Sequence, residues 1–245
     1  MSLRIDQALV ERGLCESREK AKRAIMAGSV KINEHPARKP SDLVKPTDQI
    51  ALLVPEKYVS RGGFKLEHAL AHFQINPAGQ TAIDLGASTG GFTDCLLQQG
   101  AAKVFAVDVG TNQLAWKLRR DNRVVVMEKT NARGLTPDKF PAPADLIVAD
   151  CSFISLQKIL PAAIALVRPS GKIIALLKPQ FEAGKAEVDQ GAGVITDPAI
   201  HERVQRELEA FVGRQPQLRW QGCVESPLLG PAGNKEFLVL IEKVN

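Results

Sequence analysis

The sequence predicts an α/β protein whose main domain is a doubly wound, mostly parallel seven-stranded sheet with helices on both faces. From about residue 60 onward, short apolar runs alternate with helical patterns, which is typical of a parallel sheet. A glycine-rich turn follows the first of these runs, at residues 86–91. The last two runs are separated by a turn rich in Gly, Pro and Asn, which predicts an antiparallel hairpin that closes the sheet.

Seven segments are the candidate strands of this sheet: 82–85, 103–108, 124–128, 146–149, 173–177, 218–224 and 237–242. Residues 1–54 predict a separate, small α+β domain. Two helices end at Gly13 and Gly28, Ser17 caps the second, and short strands follow near residues 30–32 and 49–54. We therefore expect a first domain over 1–54, a short linker over 55–60 and a second domain over 61–245.

Composition narrows the class of protein. The chain has 245 residues and a formal net charge of +5, a moderate basicity that suits a nucleic-acid partner without requiring one. Its four cysteines form no CxxC pair, which argues against a zinc site and a disulfide framework and favours a reduced, cytoplasmic protein. No uncharged apolar run approaches 18 residues, and the first residues do not resemble a signal peptide, so we expect no membrane segment.

The glycine-rich turn predicts the cofactor. Residues 84–94 read DLGASTGGFTD, a strand end, a turn and a helix start, where glycines let the backbone approach a ligand closely. The dinucleotide fingerprint GxGxxG is absent, because the glycine after Gly86 comes four positions later. The DxGxxxGG spacing resembles that of S-adenosylmethionine-dependent methyltransferases, and a purely structural turn is the alternative.

Two further segments extend the predicted cofactor site. Asp108 ends the second strand, where an acid can accept hydrogen bonds from both ribose hydroxyls of the cofactor. Asn131 follows the third strand, and its position fits either a contact with the adenine ring or a plain turn. The predicted cofactor-binding residues are Asp84, Gly86, Ala87, Ser88, Thr89, Gly90, Gly91, Phe92, Asp108, Val109, Asn131, Ala132 and Asp150.

Four charged residues predict the chemistry. Asp150 and Lys178 end the fourth and fifth strands, Lys65 precedes the first helix of the second domain, and Glu236 enters the last strand. In chain order they resemble the Lys-Asp-Lys-Glu tetrad of FtsJ/RrmJ-type ribose 2′-O-methyltransferases. A ribose hydroxyl is a poor nucleophile at neutral pH, so Lys178 either accepts its proton or orients it. Cys151 is expected to pack rather than attack.

The N-terminal domain resembles the S-four RNA-binding domain. The resemblance rests on LRIDQAL at 3–9, SREKAKRAI at 17–25 and GSVKIN at 28–33. Basic side chains on one helix face can follow the phosphates of structured RNA, whereas a solvated helix face is the alternative. The predicted RNA-binding residues are Arg4, Arg18, Lys20, Lys22, Arg23, Lys31 and Arg61.

Taken together, the motifs resemble the TlyA family over essentially the whole chain. They are SRGGFKL at 60–66, GASTGGFT at 86–93, TNARGLT at 130–136, ADCSFISL at 149–156, LKPQFE at 177–182, GK at 184–185 and SPLLGPAGN at 226–234. The resemblance implies 2′-O-methylation of a cytidine in ribosomal RNA, with S-adenosylmethionine as cofactor, ribosomal RNA or subunits as partner, and no metal. The short ends favour the large-subunit RNA, with the small-subunit RNA as a further candidate.

Two alternatives stay open at this point. The family also carries the name hemolysin, which leaves a membrane-active protein as one alternative. The other is an RNA-binding ribosome assembly factor with a dormant methyltransferase fold. The sequence does not indicate which nucleotide is modified or whether the chain forms oligomers.

Overall fold

The computed structural model describes residues 2–53 and 57–244, and these form two compact units, Met1–Lys57 and Tyr58–Asn245. Of the predicted linker over 55–60, residues 55 and 56 lie outside the described part of the chain. Tyr58 belongs to the second unit, where it is 1% exposed and its ring covers Gly63 so closely that a Cβ there would collide with it. The second unit therefore begins earlier than the predicted start at Arg61.

The first unit packs two helices against short strands. Ser17 caps the second helix by accepting a hydrogen bond from the Lys20 amide at 3.3 Å. A core forms around Ile5, Leu9 and Ile25. In chain order the elements are β1 (Leu3–Arg4), α1 (Ile5–Glu11), α2 (Arg18–Met26), β2 (Val30–Ile32), β3 (His35–Pro36), β4 (Leu43–Val44) and β5 (Ile50–Leu52).

The second unit alternates strands and helices. In chain order its elements are α3 (Gly62–His72), β6 (Thr81–Leu85), α4 (Gly91–Gln98), β7 (Lys103–Val107), α5 (Trp116–Arg119), β8 (Val124–Met127), β9 (Ala144–Ala149), α6 (Leu160–Leu166), β10 (Val167–Leu177), α7 (Pro179–Glu182), α8 (Lys185–Gln190), α9 (Pro198–Gly213), β11 (Leu218–Glu225) and β12 (Phe237–Lys243). Three short 3₁₀ helices lie at Ala132–Gly134, Pro137–Lys139 and Leu156–Lys158.

Seven of these strands form one sheet in the order β11-β12-β10-β9-β6-β7-β8. The five strands from β10 to β8 are parallel, and β12 and β11 close the edge in antiparallel pairs. Successive side chains on a strand point to opposite faces, so Ala82 packs in the core on one face and Ile83 in the core on the other. The predicted α/β class, with its seven strands and closing hairpin, is confirmed.

None of the helices within residues 2–53 and 57–244 is long and apolar enough to cross a membrane.

Candidate active site

The glycine-rich turn lies at the carboxyl ends of three adjacent strands, β9, β6 and β7. The amides of Gly86 and Ala87 both donate to the carbonyl of Val107, at 2.9 and 3.0 Å, which ties the turn to β7. Gly86 has a φ of +85°, and a Cβ there would lie 2.9 Å from the carbonyl oxygen of Asp150. Only glycine fits both the backbone conformation and this approach to β9.

Asp108 is fixed at the end of β7 by two backbone amides. Its Oδ2 accepts from Ser88 at 2.8 Å and its Oδ1 from Gly110 at 2.7 Å. A cavity of about 510 Å³ opens beside it, a volume in the range of small-molecule sites. Of the predicted cofactor-binding residues, it is lined by Gly86, Ser88, Asp108, Val109, Asn131, Ala132 and Asp150.

A second cavity, of about 290 Å³, lies on the other side of Gly86. The four residues of the predicted tetrad line it together with Arg61, Gly86, Ala87, Ser88, Thr89, Gly91 and Phe92. Asp84 and Gly90 line neither of these two cavities. Asp84 is buried beneath the turn, where Thr93 Oγ1 donates to its Oδ2 at 2.6 Å, and Gly90 is the N-cap of α4 with a φ of +100°.

The tetrad forms two ion pairs that face this second cavity. Lys65 pairs with Glu236, and Lys178 Nζ lies 2.6 Å from Asp150 Oδ1. Glu236 is 1% exposed and both lysines are buried, so each charge depends on its partner for compensation. Two ammonium groups and two carboxylates leave the set electrically neutral.

Strand register explains how residues far apart in the chain meet here. β9 and β10 are parallel with Ala149 opposite Ala175, so Asp150 and Lys178 leave the same edge of the sheet. β12 runs antiparallel to β10 with Phe237 opposite Leu177, which brings Glu236 to that edge as well. Lys65 lies inside α3 and not before it as predicted, because the helix already begins at Gly62; the contacts of α3 with α4 hold Lys65 beside the glycine turn.

Ser152 and Phe153 are among the residues that line these cavities without having been predicted from the sequence. Ser152 accepts a hydrogen bond from Lys178 Nζ at 2.9 Å; its place two residues after Asp150 was the signal that could have found it, because such residues share a side of an extended chain. Phe153 is 91% exposed at the wall of the larger cavity, with its ring centroid 5.2 Å from that of Phe181. No sequence pattern signalled its exposure.

The surroundings of Cys151 disfavour the thiolate form that a cysteine nucleophile requires. Its thiol donates to the carbonyl of Leu85 at 3.4 Å, and burial raises its pKa to about 12. A thiol with so high a pKa carries almost no thiolate at neutral pH. Among the described residues, no group of three or more His, Cys, Asp or Glu side chains is arranged to hold a metal ion.

Asp84 has the most perturbed carboxyl group near the turn. Burial raises its pKa to about 7, against the hydrogen bond from Thr93, and the charges of Asp150 and Asp108 add to the increase. Because the folded chain binds this proton more tightly than the unfolded chain, Asp84 lowers stability progressively from about pH 4 to about pH 7.

We therefore expect Asp84→Asn to gain melting temperature relative to the wild type across that window. The difference should level off above about pH 7, where Asp84 is ionised in both states. Thermal melts of both proteins over a series of pH values measure it. A melting-temperature difference that stays constant from about pH 4 to about pH 8 would contradict the raised pKa.

In the N-terminal unit, a buried carboxylate organises two of the predicted RNA-binding residues. Asp6 is fully buried; Arg4 Nε lies 3.1 Å from its Oδ1 and Arg18 Nη2 lies 2.8 Å from its Oδ2. Burial acts to raise the pKa of Asp6, but the bonds from Arg4 and Arg18 outweigh it and hold the pKa below its ordinary value. Both arginine side chains remain nearly half exposed.

The other predicted RNA-binding residues differ in their partners. Lys20, Lys22 and Lys31 form surface ion pairs with Glu16, Glu19 and Glu34. Arg23 is exposed in the last turn of α2, and Arg61 lies in the second unit.

Comparison with known protein families matches both units of the chain. Residues 58–243 match the FtsJ-like methyltransferase family and residues 3–50 match the S4 domain. The chain is 48% identical over 240 residues to the 16S/23S rRNA (cytidine-2′-O)-methyltransferase TlyA of Mycobacterium tuberculosis, covering 96% of this chain and 88% of that protein.

Two further similarities point to the same family. Hemolysin A of Brachyspira hyodysenteriae is 40% identical over 239 residues, covering 96% of this chain and 98% of that protein. A solved structure from Streptococcus thermophilus that carries a provisional hemolysin name has a TM-score of 0.75 and 44% identity, covering 100% of this chain and 89% of that chain. The chain therefore belongs to the FtsJ-like methyltransferase family and, within it, to the TlyA family, with an S4 domain ahead of the methyltransferase domain.

Proposed function

We propose that this protein transfers the methyl group of S-adenosylmethionine to the ribose 2′-hydroxyl of a cytidine in ribosomal RNA. The observation that carries the proposal is the meeting of Lys65, Asp150, Lys178 and Glu236 at one cavity beside the glycine-rich turn. The rRNA cytidine-2′-O-methyltransferase named TlyA, at 48% identity over nearly the whole chain, supports the choice of acceptor.

The larger cavity fits the nucleoside part of S-adenosylmethionine. Asp108 is held by backbone amides in the position where a carboxylate can accept ribose hydroxyl groups, and glycine at position 86 lets the turn lie against the backbone of Asp150 at the wall of this cavity. Both cavities share Gly86, Ser88, Asp150 and Ser152, so a ligand can extend from the larger cavity toward the tetrad. Bound there, S-adenosylmethionine supplies a methyl group on a positively charged sulfur, which is already activated for transfer.

Lys178 is the residue that we assign to the acceptor oxygen. An ammonium group carries three N–H groups; one donates to Ser152 Oγ at 2.9 Å, and Asp150 compensates the positive charge as an ion pair, with its Oδ1 2.6 Å from Nζ. A remaining N–H group is available to orient the ribose hydroxyl and to stabilise negative charge on its oxygen during attack on the methyl group. The hydroxyl proton becomes strongly acidic as the oxygen gains the methyl group, and it passes to solvent water. Asp150 positions Lys178 through their ion pair. The ion pair of Lys65 and Glu236 lines the same cavity.

The experiment that tests this proposal is transfer of labelled methyl from S-adenosylmethionine to ribosomal subunits isolated from cells that lack the gene. We expect label in ribosomal RNA after incubation with the purified protein and none with the RNA of cells that carry the gene. Absence of label in both subunits would favour the dormant fold instead.

For the N-terminal domain, we expect the pair of substitutions Arg18→Ala and Arg23→Ala to weaken RNA binding. Loss of two phosphate contacts should reduce the slope of log affinity against log salt concentration by about 2. Affinity for S-adenosylmethionine should be unchanged, because neither arginine lines the two cavities. Filter binding at several salt concentrations and calorimetry measure the two quantities.

Arg206→Ala with Arg214→Ala is the matched control, because it removes the same charge from exposed positions at α9. If the control loses as much RNA affinity as the first pair, binding depends on net charge alone and the assignment to α2 is wrong.

A further inference from the structure

Residues 226–236, the β11–β12 loop, contain the motif SPLLGPAGN at 226–234, which has no role in the proposed chemistry. Glu236 is the last residue of this loop, and Pro231 lines the same cavity as the tetrad. Gly230 packs directly on Glu236, since a Cβ at Gly230 would lie 2.6 Å from Glu236 Oε1. The conformation of this loop therefore decides where the Glu236 carboxylate lies.

The side chain of Asn234 joins the β11–β12 loop to the segment after α8 by hydrogen bonds. Its side chain is 1% exposed and uses both ends of its amide. Oδ1 accepts a hydrogen bond from the Ile195 amide at 2.8 Å, and Nδ2 donates to the Gly193 carbonyl at 2.9 Å. Within the loop, the Asn234 carbonyl accepts from the Gly230 amide at 2.9 Å. One side chain thus joins the segment after α8 to the loop that carries Glu236.

The segment that receives these bonds is itself anchored to α9. The Ile195 carbonyl lies 3.0 Å from Nε2 of His201, a buried side chain on the first turn of α9. A carbonyl oxygen only accepts hydrogen bonds, so Nε2 of His201 carries the proton. The His201 ring also packs edge-on against Phe237, the residue that follows Glu236, at a centroid distance of 5.7 Å. Both backbone polar groups of Ile195 are thus bound by side chains.

We propose that Asn234 is a positioning residue for Glu236, and that His201 supports it by fixing Ile195. This inference rests on the proposed function, because Glu236 matters for methyl transfer only if the tetrad performs it. Asn234 and His201 line neither cavity described above, so they act on the acceptor side through Glu236 and its partner Lys65. A small displacement of a positioned group is enough to reduce turnover strongly.

The first test is Asn234→Ala. We expect kcat for methyl transfer to fall by about 10- to 100-fold, with the affinity for S-adenosylmethionine unchanged by calorimetry. Hydrogen exchange at the Ile195 amide should become faster, since its acceptor is gone. Asn76→Ala is the matched control, because it removes an asparagine whose Oδ1 accepts from Ala78 at 3.0 Å on the far side of the sheet from the tetrad.

Asn234→Asp gives a readout that a general loss of stability would not produce. A neutral carboxylic acid can accept from Ile195 and donate to Gly193 as the amide does, whereas the carboxylate repels the Gly193 carbonyl. Because burial raises the pKa of a carboxyl group, the ratio of variant to wild-type kcat should rise as pH falls from about 8 to about 6. A ratio that is independent of pH over this range would contradict the proposal.

A double-mutant cycle tests the link through Ile195. His201→Phe keeps the ring beside Phe237 but removes the bond to Ile195, so its effect on kcat should not add to that of Asn234→Ala. Additive effects, or wild-type kcat in Asn234→Ala, would overturn the inference while the proposed function stands. If the wild-type protein itself transfers no methyl group, it is the proposed function that fails.

Discussion

Replacing Lys178 with methionine is expected to lower kcat for methyl transfer by about 10²- to 10⁴-fold. Methionine has a similar length and is uncharged, so the variant keeps the packing of the side chain but loses every N–H group that faces Asp150, Ser152 and the acceptor oxygen. Affinity for S-adenosylmethionine should be unchanged, because Lys178 does not line the larger cavity. Single-turnover kinetics with saturating cofactor measure the chemical step directly.

Lys172→Met is the matched control for this prediction. Lys172 lies in the middle of β10, the strand that Lys178 directly follows, and it pairs in register with Glu242. It should therefore keep wild-type turnover, and a comparison of melting temperatures separates chemistry from stability. If Lys178→Met retains turnover within a few-fold of the wild type, Lys178 has no role at the acceptor oxygen.

Replacing Gly86 with alanine is expected to reduce the affinity for S-adenosylmethionine by about 10- to 100-fold, the effect of about 1–3 kcal/mol of strain at a ligand-binding turn. Alanine disfavours a φ of +85°, and its Cβ would lie 2.9 Å from the Asp150 carbonyl. The turn must then move away from β9, which changes both cavities at their shared wall. Calorimetric titration with the cofactor measures the loss.

Gly79→Ala separates backbone strain from the steric collision. Gly79 has a φ of +73° but nothing within 4 Å of a Cβ, and it lies away from both cavities. It should cost some stability and leave cofactor affinity unchanged. Equal losses of affinity in the two variants would mean that the close approach of Gly86 to β9 is irrelevant to binding.

Much of the fold follows from local patterns in the sequence. Most strands of the sheet are apolar runs bounded by turn residues, β11 with its Arg219 and Gln221 being the exception, and the glycine turn has a spacing that itself encodes a strand-turn-helix. The start of the second unit was not predictable in this way. Tyr58 lies in the short segment KYVSRGG at 57–63, which has neither a strand nor a helix pattern, and it is buried where the absence of a side chain at Gly63 leaves room for its ring.

The candidate site was only partly predictable from the sequence. The ends of β9 and β10 were expected to meet, because parallel strands place ligands at their carboxyl ends. That Lys65 pairs with Glu236, and Lys178 with Asp150, depends on the register of β12 against β10 and on the position of α3, which no local pattern encodes. The same holds for Asn234, whose partners at Gly193 and Ile195 are about 40 residues away.

The most direct test of methyl transfer to a cytidine ribose hydroxyl is to identify the methylated nucleoside. Ribosomal RNA methylated by the purified protein would be digested to nucleosides and separated by mass spectrometry. We expect 2′-O-methylcytidine as the product, formed at the wild-type rate with Lys172→Met and about 10²- to 10⁴-fold more slowly with Lys178→Met. A methyl group on a cytosine base, or on a nucleoside other than cytidine, would contradict the assignment of the tetrad to a cytidine ribose hydroxyl.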